Sequence, residues 1–109
     1  MPGAGALKER LQFQQRALDA RAEPLGDWED RFPARAQISY LRGSESVLAQ
    51  RLQGVQPAII TVRSSTATKA LTSAWRALNA RDRSQVFEIK SVAPSTTPGF
   101  VDILAERLP

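Results

Sequence analysis

Between residues 31 and 41, RFPARAQISYL, apolar and polar side chains alternate. Phe32, Ala34, Ala36, Ile38 and Tyr40 share one face; Arg31, Arg35, Gln37 and Ser39 share the other. A period of two marks a strand with one buried face. Pro33 lies on the polar face and has no N–H, which points to a sheet edge or a bulge. AIITVR, 58–63, is rich in β-branched residues and predicts another strand. WRALNA (75–80), QVFEIKSV (85–92) and FVDILAER (100–107) predict three more. In the second of these, Phe87 and Ile89 face one way, Glu88 and Lys90 the other. RDRS, 81–84, reads as a hairpin turn, and SSTATKALTS (64–73) and APSTTPG (93–99) as polar connections.

Two stretches break the pattern. LKERLQFQQRALDARAE, 7–23, is built from good helix formers, and Leu7, Leu11 and Leu18 fall on one helical face. Yet Leu11 and Phe13 alternate with Gln12 and Gln14, as in a strand. SESVLAQRLQG, 44–54, reads as a short helix. Ser44 suits its N-cap, Glu45 its positive end, and Leu48, Leu52 and Val55 follow i, i+4, i+7 spacing. Gly54 is placed to end it in the left-handed conformation. AEPLGDWE, 22–29, reads as a loop punctuated by Pro24 and Gly26, with Trp28 expected to cap the core. About six short strands result, with a helical insert between the second and third. The expected fold is mainly β: a small antiparallel barrel or sandwich forming a single domain over 1–109, with a long helix-containing loop at 42–57.

Composition narrows the chemistry. The 109 residues include no Cys and no His. That excludes disulfides, Cys/His zinc sites and any imidazole base. No nucleotide-binding glycine motif or nucleophile elbow is present, and the serines have no histidine to activate them. The reading is therefore no enzyme, no cofactor and no metal. No apolar run approaches the roughly 20 residues of a membrane span, and residues 1–12 lack the apolar core of a signal peptide.

Charge is unevenly placed. Net charge is +4, and twelve of the fifteen basic residues are arginine. Residues 17–30 set Arg21 against Asp19, Glu23, Asp27, Glu29 and Asp30, a net of −4. Residues 31–90 carry ten basic residues against Glu45, Asp82 and Glu88, a net of +7. Such asymmetry suits a polyanion contact or a charge-matched protein interface, or simply a solvated arginine surface. One function that fits is a small basic barrel binding nucleic acid without sequence preference. Most of the seven aromatic residues, however, fall on apolar strand faces and are expected in the core.

Four pieces, in order, resemble the small head–tail joining proteins of tailed phages and phage-like gene transfer agents, also called head-closure or stopper proteins. The first is GALKERLQFQQR, a small residue and Leu-x-x-Arg leading into an alternating strand. The second is Gly26-x-Trp28 before FPARAQISYL. The third is Gly43-Ser44-Glu45, similar to the family's Gly-x-Glu, followed by an Ala/Gln/Arg-rich segment and IITVR. The fourth is the hairpin WRALNARDRSQVFEIKSV, with Arg81-Asp82-Arg83-Ser84 where the family turn usually has a glycine.

The resemblance implies several things. Residues 10–16 form a strand, against their helical composition. A ring of six or twelve copies joins the portal or head adaptor to the tail terminator or tail tube, at the neck of a virion assembled in the bacterial cytoplasm. The loop at 42–57 faces a channel holding packaged double-stranded DNA, with Arg42, Gly43, Ser44, Glu45 and Arg51 as its contacts to that DNA or to a neighbouring subunit. The acidic stretch, including Asp27, Trp28, Glu29 and Asp30, meets the basic surface of a neighbour, including Arg35, Arg63 and Arg76. No membrane is involved.

Overall fold

The computed structural model describes residues 7–18, 21, 24–41, 52 and 54–108. Six strands are present: β1 (Glu9–Leu18), β2 (Pro24–Tyr40), β3 (Gln56–Arg63), β4 (Trp75–Asn79), β5 (Val86–Pro94) and β6 (Phe100–Arg107). A four-residue helix, α1 (Thr66–Lys69), follows β3. All pairings are antiparallel, and the sheet closes in the order β1-β2-β3-β6-β5-β4. The mainly β reading holds, and closure gives every strand a neighbour on both sides over part of its length.

The alternating residues meet inside. Leu11, Phe13, Ala36, Ile60, Val62, Ala77, Phe87, Ile89, Ile103 and Ala105 are buried in one cluster. Phe32, Ala34, Ile38 and Tyr40 pack against it, as their shared face predicts. Phe13 stacks on Phe32 with ring centroids 5.1 Å apart, and Phe32 meets Trp75 at 5.7 Å.

β1 decides whether the barrel closes, because it pairs with β2 on one side and β4 on the other. Phe13 lies opposite both Phe32 and Ala77. The strand implied by the resemblance thus prevails over helix propensity, since only an extended β1 satisfies two neighbouring ladders at once.

β2 corrects the sequence reading at 22–29. That segment is no loop: β2 runs for 17 residues from Pro24, and its first part pairs with Gln14–Leu18. Gly26 absorbs a φ of +76° within it. Phe13 pairs with Phe32 but Gln14 pairs with Asp30, so Arg31 is an extra residue, a bulge. One extra residue reverses the alternation. Phe32 points in, while Asp30 and Trp28 point out beside Gln14 and Arg16. Trp28 therefore does not cap the core. Pro33 lies two residues from this bulge, where β2 pairs with β1 and, among the described residues, with no strand on its other side.

The connection at 64–73 is also more ordered than predicted. Ser65 Oγ accepts the Thr68 N–H (3.1 Å) and Thr68 Oγ1 accepts the Ser65 N–H (2.8 Å), a reciprocal cap that seeds α1. The 81–84 turn closes without glycine. Asp82 takes the Ser84 hydroxyl at 2.6 Å and the Ser84 N–H at 3.2 Å, and the Gln85 N–H reaches the Asp82 carbonyl. Most of the predicted 42–57 loop, including its helix, lies outside the described residues. Of that stretch, Leu52 is 81% exposed, and Gly54 has the left-handed φ expected of it, +85°.

Candidate functional site

Because β1 sits between β2 and β4, outward residues form rows across the wall. One row is Asp30, Gln14, Arg76 and Glu88. Gln14 faces out yet is only 4% exposed. Its amide bridges two charges: Nε2 donates to Asp30 Oδ1 at 2.6 Å, and Oε1 accepts from Arg76 Nε at 2.7 Å. Arg83, from the β4–β5 turn, donates to the same Asp30 oxygen at 3.1 Å. The Gln14 hydrogen bond first, and Arg83 second, hold the Asp30 carboxyl below its usual range.

Trp28 lies one step along the same outer surface. The Arg76 guanidinium sits 4.6 Å from its ring centroid, and that of Arg16 at 5.8 Å. Arg16 Nε also donates to the Gly26 carbonyl at 3.2 Å. Partial burial, with the charges of Arg83 and Arg16 nearby, pushes Arg76 below its usual range. A guanidinium stays charged under such a push. The two arginines and Trp28 line a cleft of about 390 Å³ together with Trp75, Val86 and Leu108.

Ser73 and Glu88 also line the cleft, and Glu88 is paired with Lys90 at 2.8 Å. The arrangement offers a rigid indole, two oriented guanidiniums and apolar walls. Arg and Trp held this way are the residue types that anchor protein interfaces.

The other residues predicted for an interface scatter. Glu29 pairs with Arg31 at 3.0 Å, and Asp27 is exposed on the same part of β2. Arg63 lies over Phe100 at 5.9 Å. Arg35 joins a separate basic recess described below. The structure therefore unites Trp28, Asp30 and Arg76, and spends much of the acidic charge on partners within the chain. Arg42, Gly43, Ser44, Glu45 and Arg51 lie outside the described residues. Gln14, Arg16 and Arg83 escaped the sequence reading. The outward alternation of Gln14 and Arg16 with Phe13 was their one available signal.

The described aromatics offer no free stacking platform. Phe13, Phe87 and Trp75 are buried, Phe32 and Tyr40 pack on the core, and Trp28 and Phe100 each carry arginine. Among the described residues, no three acidic side chains group to hold a metal ion, and no helix is long and apolar enough to cross a membrane.

Residues 2–108 match the family model described as phage head completion protein. The chain belongs to that family. Head completion proteins are structural parts of phage-type particles, so this one has a structural role in such a virion. Its fold recurs in a chain of the virion of a native gene transfer agent particle, at TM-score 0.63 and 18% identity over 93% of this chain and 94% of that one. A Shigella flexneri 2a protein solved in solution is similarly close, at TM-score 0.62 and 18% identity over 97% and 96%. No curated protein matches this head completion protein by sequence.

Proposed function

We propose that this head completion protein forms a ring of six or twelve copies at the neck of the particle. The ring joins the portal or head adaptor to the tail, and packaged double-stranded DNA occupies its channel. The observation that carries this reading is the Arg16–Trp28–Arg76 surface on a closed barrel. Closure pairs each strand with two neighbours over part of its length, and residues 24–35 of β2, which carry Trp28, pair on one side only among the described residues, so subunits meet through this face or along that length of β2. A ring needs a heterologous contact in which two different patches meet and rotation closes the circle. The arginine–tryptophan cleft is one such patch, with the exposed acidic Asp27 and Glu29 close by on β2.

The loop at 42–57 is the part free to reach the channel, with Arg42 and Arg51 facing DNA phosphates and the loop helping to retain the DNA. Deleting residues 44–53 tests this. The purified subunit should stay folded, while particles lose DNA or fail to join tails. An unchanged infectious or transducing titre would refute the loop's role. The runner-up, a free single-strand-binding barrel, is disfavoured by the occupied aromatics.

A further inference from the structure

Away from the tryptophan cleft, four cations line one recess of about 320 Å³: Lys8, Arg10, Arg35 and Arg81, with Ala80. The fold forces them together. Arg10 and Arg35 are directly opposed on β1 and β2, and the Ala80 N–H binds the Arg10 carbonyl at 2.9 Å, bringing the start of the β4–β5 turn alongside. Lys8 precedes Arg10 by two residues, on the same side of the chain.

Like charges directly opposed across an antiparallel pair destabilise it. Here the opposition is not relieved from within: among the described residues, no ion pair involves any of the four. Asp82, next to Arg81, is engaged by Ser84, and Glu9, between Lys8 and Arg10, alternates to the other side of the chain, opposite Ala36. Cations that share a recess, with no ion pair to any of them among the described residues, suit an external anion.

We infer that this recess binds the phosphate backbone of duplex DNA. It has no aromatic or large apolar lining, unlike the core of a protein interface. It has no stacking surface for an unpaired base either. Converging arginines and lysine suit phosphate oxygens and read no sequence. Arg35 is thereby reassigned from a subunit contact to a DNA contact. The site rests on the channel-DNA reading only for the source of the duplex, since binding by the isolated chain is measured whether or not rings form.

The test is anisotropy of a fluorescein-labelled 20-base-pair duplex with the full chain, between 50 and 200 mM NaCl. Four phosphate contacts give a log K against log salt slope of about −3.6, so affinity falls about 150-fold over that fourfold range. Arg10→Gln with Arg35→Gln removes two contacts, leaving a slope near −1.8 and a fall of about 12-fold. Arg31→Gln with Arg63→Gln has the same net charge and should keep the wild-type slope. Duplex should raise the melting temperature of the wild type more than that of the Arg10/Arg35 variant, whose own melting temperature at 50 mM NaCl should equal or exceed the wild type's. Equal slopes for the two variants, no duplex binding by the wild type, or a variant that melts lower would overturn the assignment. So would displacement of the duplex by poly-glutamate as readily as by polyphosphate, which would make the ligand a protein carboxylate.

Discussion

Substituting Phe13 and its neighbour separates the strand at β1 from the helix that its composition favours. Phe13 is fully buried, stacks on Phe32 at 5.1 Å and lies opposite Ala77. Phe13→Ala should cost about 3–5 kcal/mol, of which the aromatic pair supplies about 0.5–1.5 kcal/mol. That is a large part of the roughly 5–15 kcal/mol by which a domain of this size is stable. Gln12 faces out, and its one side-chain bond is a long 3.3 Å contact to the Phe13 carbonyl. Gln12→Ala should cost no more than about 0.5 kcal/mol. With a urea m-value of about 1.5 kcal/mol/M, Phe13→Ala lowers the midpoint by about 2–3 M, and Gln12→Ala by about 0.3 M. Phe13→Leu should give the same order with a smaller shift, and so covers the case where the alanine variant is too unstable to purify. Equal costs at positions 12 and 13, or less than about 1 kcal/mol at Phe13, would refute an extended β1 with Phe13 in the core.

Three further outcomes follow from the geometry. Asp30 has a depressed carboxyl, so its contribution to stability is present above the ordinary value of 3.8 and is lost as pH falls through the lower folded value. NMR titration should find its midpoint below 3.8, moving up in Gln14→Leu and less in Arg83→Gln; a midpoint unmoved by Gln14→Leu would contradict the bridge. Trp28→Ala removes the platform under two arginines. It should cost about 1–2 kcal/mol in urea unfolding yet abolish ring formation by sedimentation, and rings that survive would separate Trp28 from assembly. Gly99 has φ +85° with open space around its Cβ position, so Gly99→Ala should cost about 1–2 kcal/mol from backbone strain alone, read from the urea midpoint.

The parts of the fold that rest on alternation were legible in the sequence. Phe32 to Tyr40 and Phe87 with Ile89 point inward as their spacing says, and the segments at 58–63 and 100–107 are strands as their composition says. At 64–73 the miss was local, the Ser65–Thr68 cap; at 22–30 it came from pairing partners distant in sequence. Pro24, Gly26 and Asp27 are turn-forming residues, but opposite Gln14–Leu18 they become strand. The Arg31 bulge then reversed the facing of Trp28 and Asp30, which no single-strand pattern reveals. The candidate site was legible residue by residue but not as a unit. Trp28, Asp30 and Arg76 could be named, while Gln14, which ties them, looked like an ordinary polar position on a helix-prone segment. The Arg10–Arg35 opposition depends on the β1–β2 register and has no local sequence signal at all.

Whether this head completion protein is a ring subunit of the neck can be read from a cryo-EM map of the assembled particle. Six or twelve copies of the six-stranded barrel should lie between the portal or adaptor and the tail, with Trp28 and Arg76 at the subunit boundary. Barrel density found elsewhere on the particle, as single copies, or with Trp28 turned to solvent would contradict it.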